Sequence, residues 1–474
     1  MSEKYFLAID RGQTCIKTAL CRMNAEVAHM ESIQCEQLSV PAPGWAEQDM
    51  DDIWEKTAEA VRRLIKKAGV SAEDIIAVSF SGQGGGNFLI DEDGRPVRKG
   101  VLSMDNRHEA YAVEGIPRTI LFMRWLKENE PDVFKKTRFI LGSKDWIRFR
   151  LTGKANADMS DTPAPVCNGV YITGLCKKAG VPEAEKMLPP LVYANEICGA
   201  ITKEAADICG LAEGTPVVAG AHDMIACSLG TGGVKQGHLT VIMGTLGINI
   251  AVVGDGVGNL KPERPGEIFE FAGTGKGTRT ATSSIGACGR AFDSFINLFF
   301  SDIKNAAVKA RKDIFEYIED MLSTTKEPVS EKFFPYIMGT FYDSSLKAGF
   351  GGITADTDKT DLLMAMYQGI CFSMCMEIEK LGEKLGAFDD IWMVGGGSKS
   401  RIWPQMFADV LNARVKIGKT SEMGCRGAAI CAAEALGISK TEMYEPEVKE
   451  TFVPNCEKHR KYERLFEEYK NNLL

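Results

Sequence analysis

The chain is poor in the residues that build metal cages. It has 5 histidines, and its 14 cysteines form no CxxC pair and no Cys/His zinc spacing. A structural zinc site is therefore not expected. The scattered thiols read as small buried hydrophobes in a reducing cytoplasm, although Cys371 and Cys375 stand one helical turn apart. No apolar run is long enough to span a membrane, which takes about 20 residues. Positive charge is in deficit, with 56 Lys and Arg against 64 Asp and Glu, a net charge of -8 and a pI of about 5.5. That excludes the basic face on which non-specific nucleic-acid binding depends. The opening Met1-Ser2-Glu3-Lys4-Tyr5 lacks the features of a secretory leader. Two nucleotide fingerprints are also missing. Ser81 to Asn87 is glycine-rich but has the wrong glycine spacing for dinucleotide binding, and Gly273 to Thr278 fails the Walker pattern because Gly277 follows Lys276.

What is present is a set of glycine turns closing short apolar strands. Tyr5 to Ile9 runs into Asp10-Arg11-Gly12-Gln13-Thr14, and Cys15 to Cys21 then alternates as a second strand. Tight turns aim several backbone N–H groups at one anion, so this hairpin and Thr14 suit a phosphate. Asp10 suits a magnesium ion held through water; the alternative is an ordinary hairpin with an exposed acid. The pattern returns at mid-chain, where Leu239 to Met243, Gly244-Thr245-Leu246-Gly247 and Ile248 to Val253 repeat strand, hydroxyl-bearing turn and strand. The repetition suggests an internal duplication. A length of 474 residues is too great for one core, and the predicted division is 1–233 and 234–474.

Three further stretches stand out. Thr215 to Ala219 is a buried strand closed by Gly220, and Asp223 then opens a helical pattern. A carboxylate there is placed either as a general base for a substrate hydroxyl or as a helix N-cap. Asp390 to Val394 runs into Gly395-Gly396-Gly397-Ser398, where three glycines leave room for a flat ring against the backbone. The small-residue helix starting at Glu422 is expected to pack beside it. Phe88 to Ile90 and Val101 to Ser103 are predicted to form a hairpin that ends near Asp105 and Arg107.

These motifs, in this order, resemble the FGGY family of carbohydrate kinases over nearly the whole chain. Asp10 to Thr14 with Lys17 resembles the family's first phosphate motif and Met243 to Gly247 its second. Gly395 to Ser398, with Trp403, Gln405, Ala408 and Asp409, resembles its adenosine motif, and Gly220 to Gly230 the segment with the catalytic aspartate. Gly44-Trp45-Ala46-Glu47-Gln48-Asp49 matches another family stretch. Lys144 to Gly153 with Ala157 to Asp161 is similar to xylulokinases. Gln83-Gly84-Gly85-Gly86 lacks the Met-His pair usual there and is closer to L-xylulose and erythritol kinases.

The resemblance implies an α/β fold of two actin-like, ribonuclease H-like ATPase lobes with a nucleotide and sugar cleft between them. It implies ATP and Mg2+ as cofactors, a small sugar or polyol as substrate, and a homodimer as the assembly allowed for. Asp223 would be the catalytic base. The nucleotide would meet Asp10, Gly12, Gln13, Thr14, Lys17, Gly244, Thr245, Gly395, Gly396, Gly397 and Ser398, with the metal near Asp10 and Asp223. Trp45, Gln83, Asp105 and Arg107 would meet the sugar beside Asp223. For Trp45 a core role is the equal alternative, and for Arg107 a structural ion pair. The glycines at 84 and 85 predict a pocket floor of bare backbone. The expected reaction is phosphorylation of a pentulose such as xylulose. The rivals are an erythritol or other polyol kinase, a non-kinase actin-like ATPase, and a sugar-binding regulator without catalysis.

Overall fold

A computed structural model describes the chain except residues 1, 168, 173, 255–256, 259, 261–265, 324–327 and 473–474. Packing divides it into two compact units. One comprises Met1–Gly230, Ala272–Thr278 and Glu422–Glu445, and the other Thr231–Phe271, Arg279–Ser421 and Pro446–Leu474.

Each unit is built on a mixed seven-stranded sheet, and five strands of each follow one topology. In the first unit β1 (Tyr5–Arg11), β2 (Cys15–Cys21) and β3 (Val27–Gln34) form an antiparallel meander. β4 (Ile75–Gly82) lies parallel to β1. β5 (Ile197–Ala200) and β6 (Pro216–Val218) complete the order, β6 parallel to β4 and β5 antiparallel to β6. In the second unit β7 (His238–Met243), β8 (Gly247–Val253) and β9 (Arg279–Ser284) repeat the meander. β10 (Asp390–Val394) lies parallel to β7 and β11 (Val415–Gly418) parallel to β10, with β12 (Val448–Phe452) antiparallel at the edge. The repeat read from two hairpins thus extends to five strands of each sheet, while the antiparallel edge strand precedes its neighbour in the first unit and follows it in the second. β1 is buried along nearly all its length, as expected of a strand covered on both faces.

Eight helices matter to the site. α1 (Met50–Ala68) is capped by Asp49, whose side chain accepts the N–H groups of Asp51 and Asp52. α2 (Arg118–Asn129), α3 (Ser143–Thr152) and α4 (Asp223–Gly230) belong to the first unit, α5 (Gly289–Phe299), α6 (Lys359–Leu385) and α7 (Trp403–Leu411) to the second. α8 (Met423–Ala435) packs in the first unit, against α4. Glycine explains the choice: a Cβ on Gly427 would lie 1.9 Å from Ala226 O and one on Gly230 2.1 Å from Met423 O. α4 and α8 therefore touch backbone to backbone, a contact that larger residues forbid.

The predicted hairpin of 88–103 forms in part. Its turn is closed by Arg95 O accepting Asp91 N–H and Asp91 O accepting Gly94 N–H, and isolated antiparallel bridges join Ile90 to Pro96 and Asn87 to Val101. The strands also pair outside it, Phe88–Ile90 with Phe139–Leu141 and Gly100–Val101 with Glu47–Gln48.

Candidate active site

In the first unit the turn after β1 is held on both sides. Gln83 N–H donates to Arg11 O at 2.9 Å, and Gln48 Nε2 donates to Gln13 O at 3.0 Å. Arg11 is fully buried and donates to Gly12 O and Gln48 Oε1, so it braces the turn from behind. Gly12 and Gln13 are half-buried and Thr14 is exposed. Asp10 accepts from Ser81 Oγ at 2.8 Å. Burial, with the carboxylates of Asp223 and Glu422 nearby, pushes Asp10 up to about 6, against the opposite pull of Ser81 and Lys17. Lys17 is paired with Glu422 at 2.7 Å. Glu422, just before α8, is a member of this cluster that the motifs did not single out; a residue 405 positions away in sequence gives no local signal.

Asp223 reaches the same region by a different route. Ala221–His222 pairs in parallel with Ser81 and Gly82 at the end of β4, and Gly220 turns the chain into that position with φ of 72°. A Cβ there would meet Phe80 O at 2.2 Å, so glycine is required. Asp223 Oδ1 accepts Met224 N–H at 2.6 Å and lies 2.9 Å from His222 Nδ1, with 43% of the side chain exposed. A cap would accept from the second or third N–H of the helix; the bond to Met224 is not that geometry. Burial lowers the affinity of His222 for its proton, but the adjacent Asp223 carboxylate and Asp161 outweigh it and raise its pKa.

Of the residues expected to meet sugar, Asp105 and Arg107 pair with each other, while Arg107 Nη1 is buried without a hydrogen-bond partner. Arg107 Nε and Nη2 each donate to Asp105 at 2.8 Å, and Nη2 also reaches Glu47 at 2.8 Å. The guanidinium lies 3.9 Å from the centre of the Trp45 ring, which stands edge-on to Trp125 at 5.4 Å. Trp45 is half-buried against the small core around α2. Gln83 donates to Ser103 Oγ at 2.8 Å, while its Oε1 is buried without a hydrogen-bond partner. The floor at Gly84 and Gly85 is not bare. A Cβ on Gly84 would lie 2.2 Å from the His222 ring and 2.7 Å from Asp161 Oδ1, and one on Gly85 2.8 Å from Arg118 Nη2. The glycines admit three polar side chains from elsewhere in the chain.

Under this floor lies a buried charge cluster. Lys144 on α3 is paired with Asp158, with Asp145 at 3.1 Å and with Asp161 at 3.7 Å, and Arg148 meets Asp145 at 2.8 Å. Arg148 Nη1 also donates to Ala219 O, tying the cluster to the strand that leads to Asp223.

In the second unit the turn after β7 is a close counterpart of the first. Gly244 is half-buried and Thr245 exposed, and their carbonyls accept from Gly289 N–H at 2.9 Å and Cys288 N–H at 3.1 Å at the start of α5. Arg290, in the first turn of α5, donates its N–H to Thr245 O at 3.3 Å and its Nη1 to Met338 Sδ. Arg290 gives no local signal from the turn, because it lies 45 residues downstream of Thr245. After β10, Ser398 Oγ and N–H both donate to Gly395 O. The three glycines differ in kind. A Cβ on Gly395 would lie 2.7 Å from Met243 O and one on Gly397 2.5 Å from Met243 Cβ, but Gly396 is exposed and would meet nothing closer than 3.8 Å. Gly396→Val should therefore fold normally and weaken ATP binding by at least about tenfold, whereas Gly397→Val should lose stability. Calorimetric titration with ATP beside a melting curve separates the two outcomes.

The chain matches the sequence model of the FGGY family of carbohydrate kinases, N-terminal domain, over residues 5–120 and 114–230, and that of the C-terminal domain over 251–436. The chain belongs to the FGGY family of carbohydrate kinases. A probable L-xylulose kinase of Haemophilus influenzae is 28% identical, covering 98% of this chain and 97% of its own length. An L-xylulose/3-keto-L-gulonate kinase of Escherichia coli is 28% identical over 99% and 96%. The crystal structure of a ligand-bound xylulose kinase from Lactobacillus acidophilus superposes with a TM-score of 0.86 at 21% identity, covering 99% and 97%. The fold is that of the actin-like sugar kinases, and the enzyme is a sugar phosphotransferase with ATP as donor and a small sugar as acceptor. Among the described residues no helix is long and apolar enough to cross a membrane.

Proposed function

We propose that this kinase transfers the γ-phosphate of ATP to a hydroxyl of a small open-chain ketose, a pentulose such as xylulose, in the cytoplasm. The observation that supports it most is the convergence of Asp223 and the Asp10 turn within one unit: the two carboxylates are close enough for Asp223 to raise the Asp10 pKa. Asp223, exposed and without cap geometry, accepts the proton of the attacking hydroxyl. Thr14 and Thr245 with their glycine turns hold phosphate oxygens, Lys17 and Arg290 supply positive charge beside them, and Gly395 to Ser398 accommodate adenosine. With little covalent chemistry to perform, these groups act by position and field.

Among the described residues no three His, Cys, Asp or Glu side chains converge as a metal cage. The crowding of Asp10, Asp223 and Glu422 nevertheless fits Mg2+ held through water and substrate phosphates, the usual mode for this ion. When bound, magnesium offsets charge on the transferring phosphate.

A coupled ADP-release screen over D- and L-xylulose, ribulose, erythritol, glycerol and gluconate tests the reading. ADP should form only when a ketose or its close relative is present. Release that ignores every sugar would favour a non-kinase ATPase, and a sharp preference for glycerol would remove the ketose assignment.

A further inference from the structure

The ring of His222 lies where the loop after β4 meets the acid read as the base. Its Nδ1 is 2.9 Å from Asp223 Oδ1, and only 18% of the side chain is exposed against 43% for Asp223. An ionised carboxylate can only accept hydrogen bonds, so at that distance Nδ1 carries the proton and donates it. Met224 N–H lies 3.4 Å from Nδ1 but 2.6 Å from Oδ1, so it too is given to the carboxylate. Two donors therefore converge on Oδ1 and leave Oδ2 to take a proton from substrate.

The ring is itself held in place. His222 pairs with Gly82 at the end of β4, and its N–H donates to Ser160 Oγ at 2.9 Å. Its far edge faces Gly84, where a Cβ would fall 2.2 Å from ring Cδ2 and 2.3 Å from Nε2. Asp161 Oδ1 closes the same slot, 2.7 Å from that Cβ, and is fixed by accepting Gly85 N–H at 3.0 Å. In a close-packed interior a side chain at 84 would displace the ring or the acid beside it. A half-exposed carboxylate at the first position of a helix otherwise swings between staggered rotamers. A base acts only within hydrogen-bond reach of its proton, and a misplacement of about 1 Å can cost about 100-fold.

Resting on the reading of Asp223 as general base, we propose that His222 is a positioning residue of this kinase: its Nδ1–H holds Asp223 Oδ1, and the bare backbone at Gly84 is the socket that seats its ring. His222 takes no proton from the substrate and acts through Asp223 alone. Gly84 serves the base through His222.

The test is a set of variants at 222 and 84, assayed as ADP release at saturating ATP with the ketose turned over fastest in the screen above, beside melting curves. His222→Asn puts an amide N–H where Nδ1 stands. His222→Gln is nearer the ring in size but carries its amide one carbon too far. Turnover should fall about 10- to 100-fold in His222→Leu and His222→Gln, stay within about fivefold of wild type in His222→Asn, and leave KM for ATP nearly unchanged. Gly84→Ala should reproduce the loss with His222 intact, and adding His222→Asn to it should recover part, because asparagine lacks Cδ2 and Nε2. In an Asp223→Asn background, His222→Leu should cost at most about twofold more, since nothing is left to aim. Glutamine closer to wild type than asparagine would overturn the inference, as would losses that only track lowered melting temperatures in every variant. An inactive Asp223→Asn beside an unaffected His222→Leu would overturn it and leave the base reading standing. Asp223→Asn turning over like wild type, or a wild type that turns over no sugar, would remove the base reading and the inference together.

Discussion

Asp223→Asn should cut turnover by roughly 10²–10⁴-fold, the usual loss when a general base is removed. Asparagine keeps an oxygen where Oδ1 now accepts Met224 N–H and approaches His222 Nδ1, so the junction between Gly220 and α4 should survive. The melting temperature and the affinity for sugar should stay close to wild type, and the loss should appear in kcat more than in KM. Single-turnover measurement with saturating ATP checks this. A variant turning over within a few-fold of wild type would remove Asp223 from the chemistry and restore the purely structural reading of its position.

Lys144→Met should be the most destabilising of the substitutions considered. The ammonium is fully buried among Asp145, Asp158 and Asp161. Burial alone would lower its pKa, and the three carboxylates raise it above its ordinary value instead. Removing one partner of a buried ion cluster strands the other charges, which costs roughly 3–5 kcal/mol. At roughly 2–4 °C per kcal/mol, the melting temperature should fall by about 10 °C. Adding Asp158→Asn should recover part of the loss, because one stranded charge is then gone. A melting curve within about 2 °C of wild type would show that the cluster does not hold the fold. Acid should act in the same direction on Asp145. Burial would raise its pKa, but Arg148 and Lys144 hold it below its ordinary value. Its contribution is present above about pH 4 and is lost as pH falls through the lower folded value.

The parts of the site that are continuous in sequence could be read directly. Asp10 to Thr14 and Gly244 to Thr245 announce themselves because an apolar strand, a glycine turn with a hydroxyl and a second strand form a local unit whose geometry needs no distant partner. The third glycine stretch was legible as a loop, but which of its glycines faces open space depends on Met243, 152 positions before Gly395. Asp105 and Arg107 illustrate the opposite difficulty. Both read as candidate sugar contacts, with a structural ion pair as the alternative for Arg107, and the tertiary structure joins the two over Trp45. The glycines at 84 and 85 suggested empty space, whereas His222, Asp161 and Arg118, all remote in sequence, enter the space they leave.

By itself the sequence determined the local units from which the proposed site is built: two glycine turns bearing a hydroxyl, a three-glycine loop and an acid after a buried strand, each encoded by turn residues whose backbone demands are local. Only the tertiary structure decided the surroundings of those groups. It placed α8 in the first unit because glycines let it touch α4, set Glu422 against Lys17, sank Lys144 among three acids, and laid Arg118 against Gly85. Those arrangements arise from close packing between segments far apart along the chain, for which no short-range pattern exists to be read.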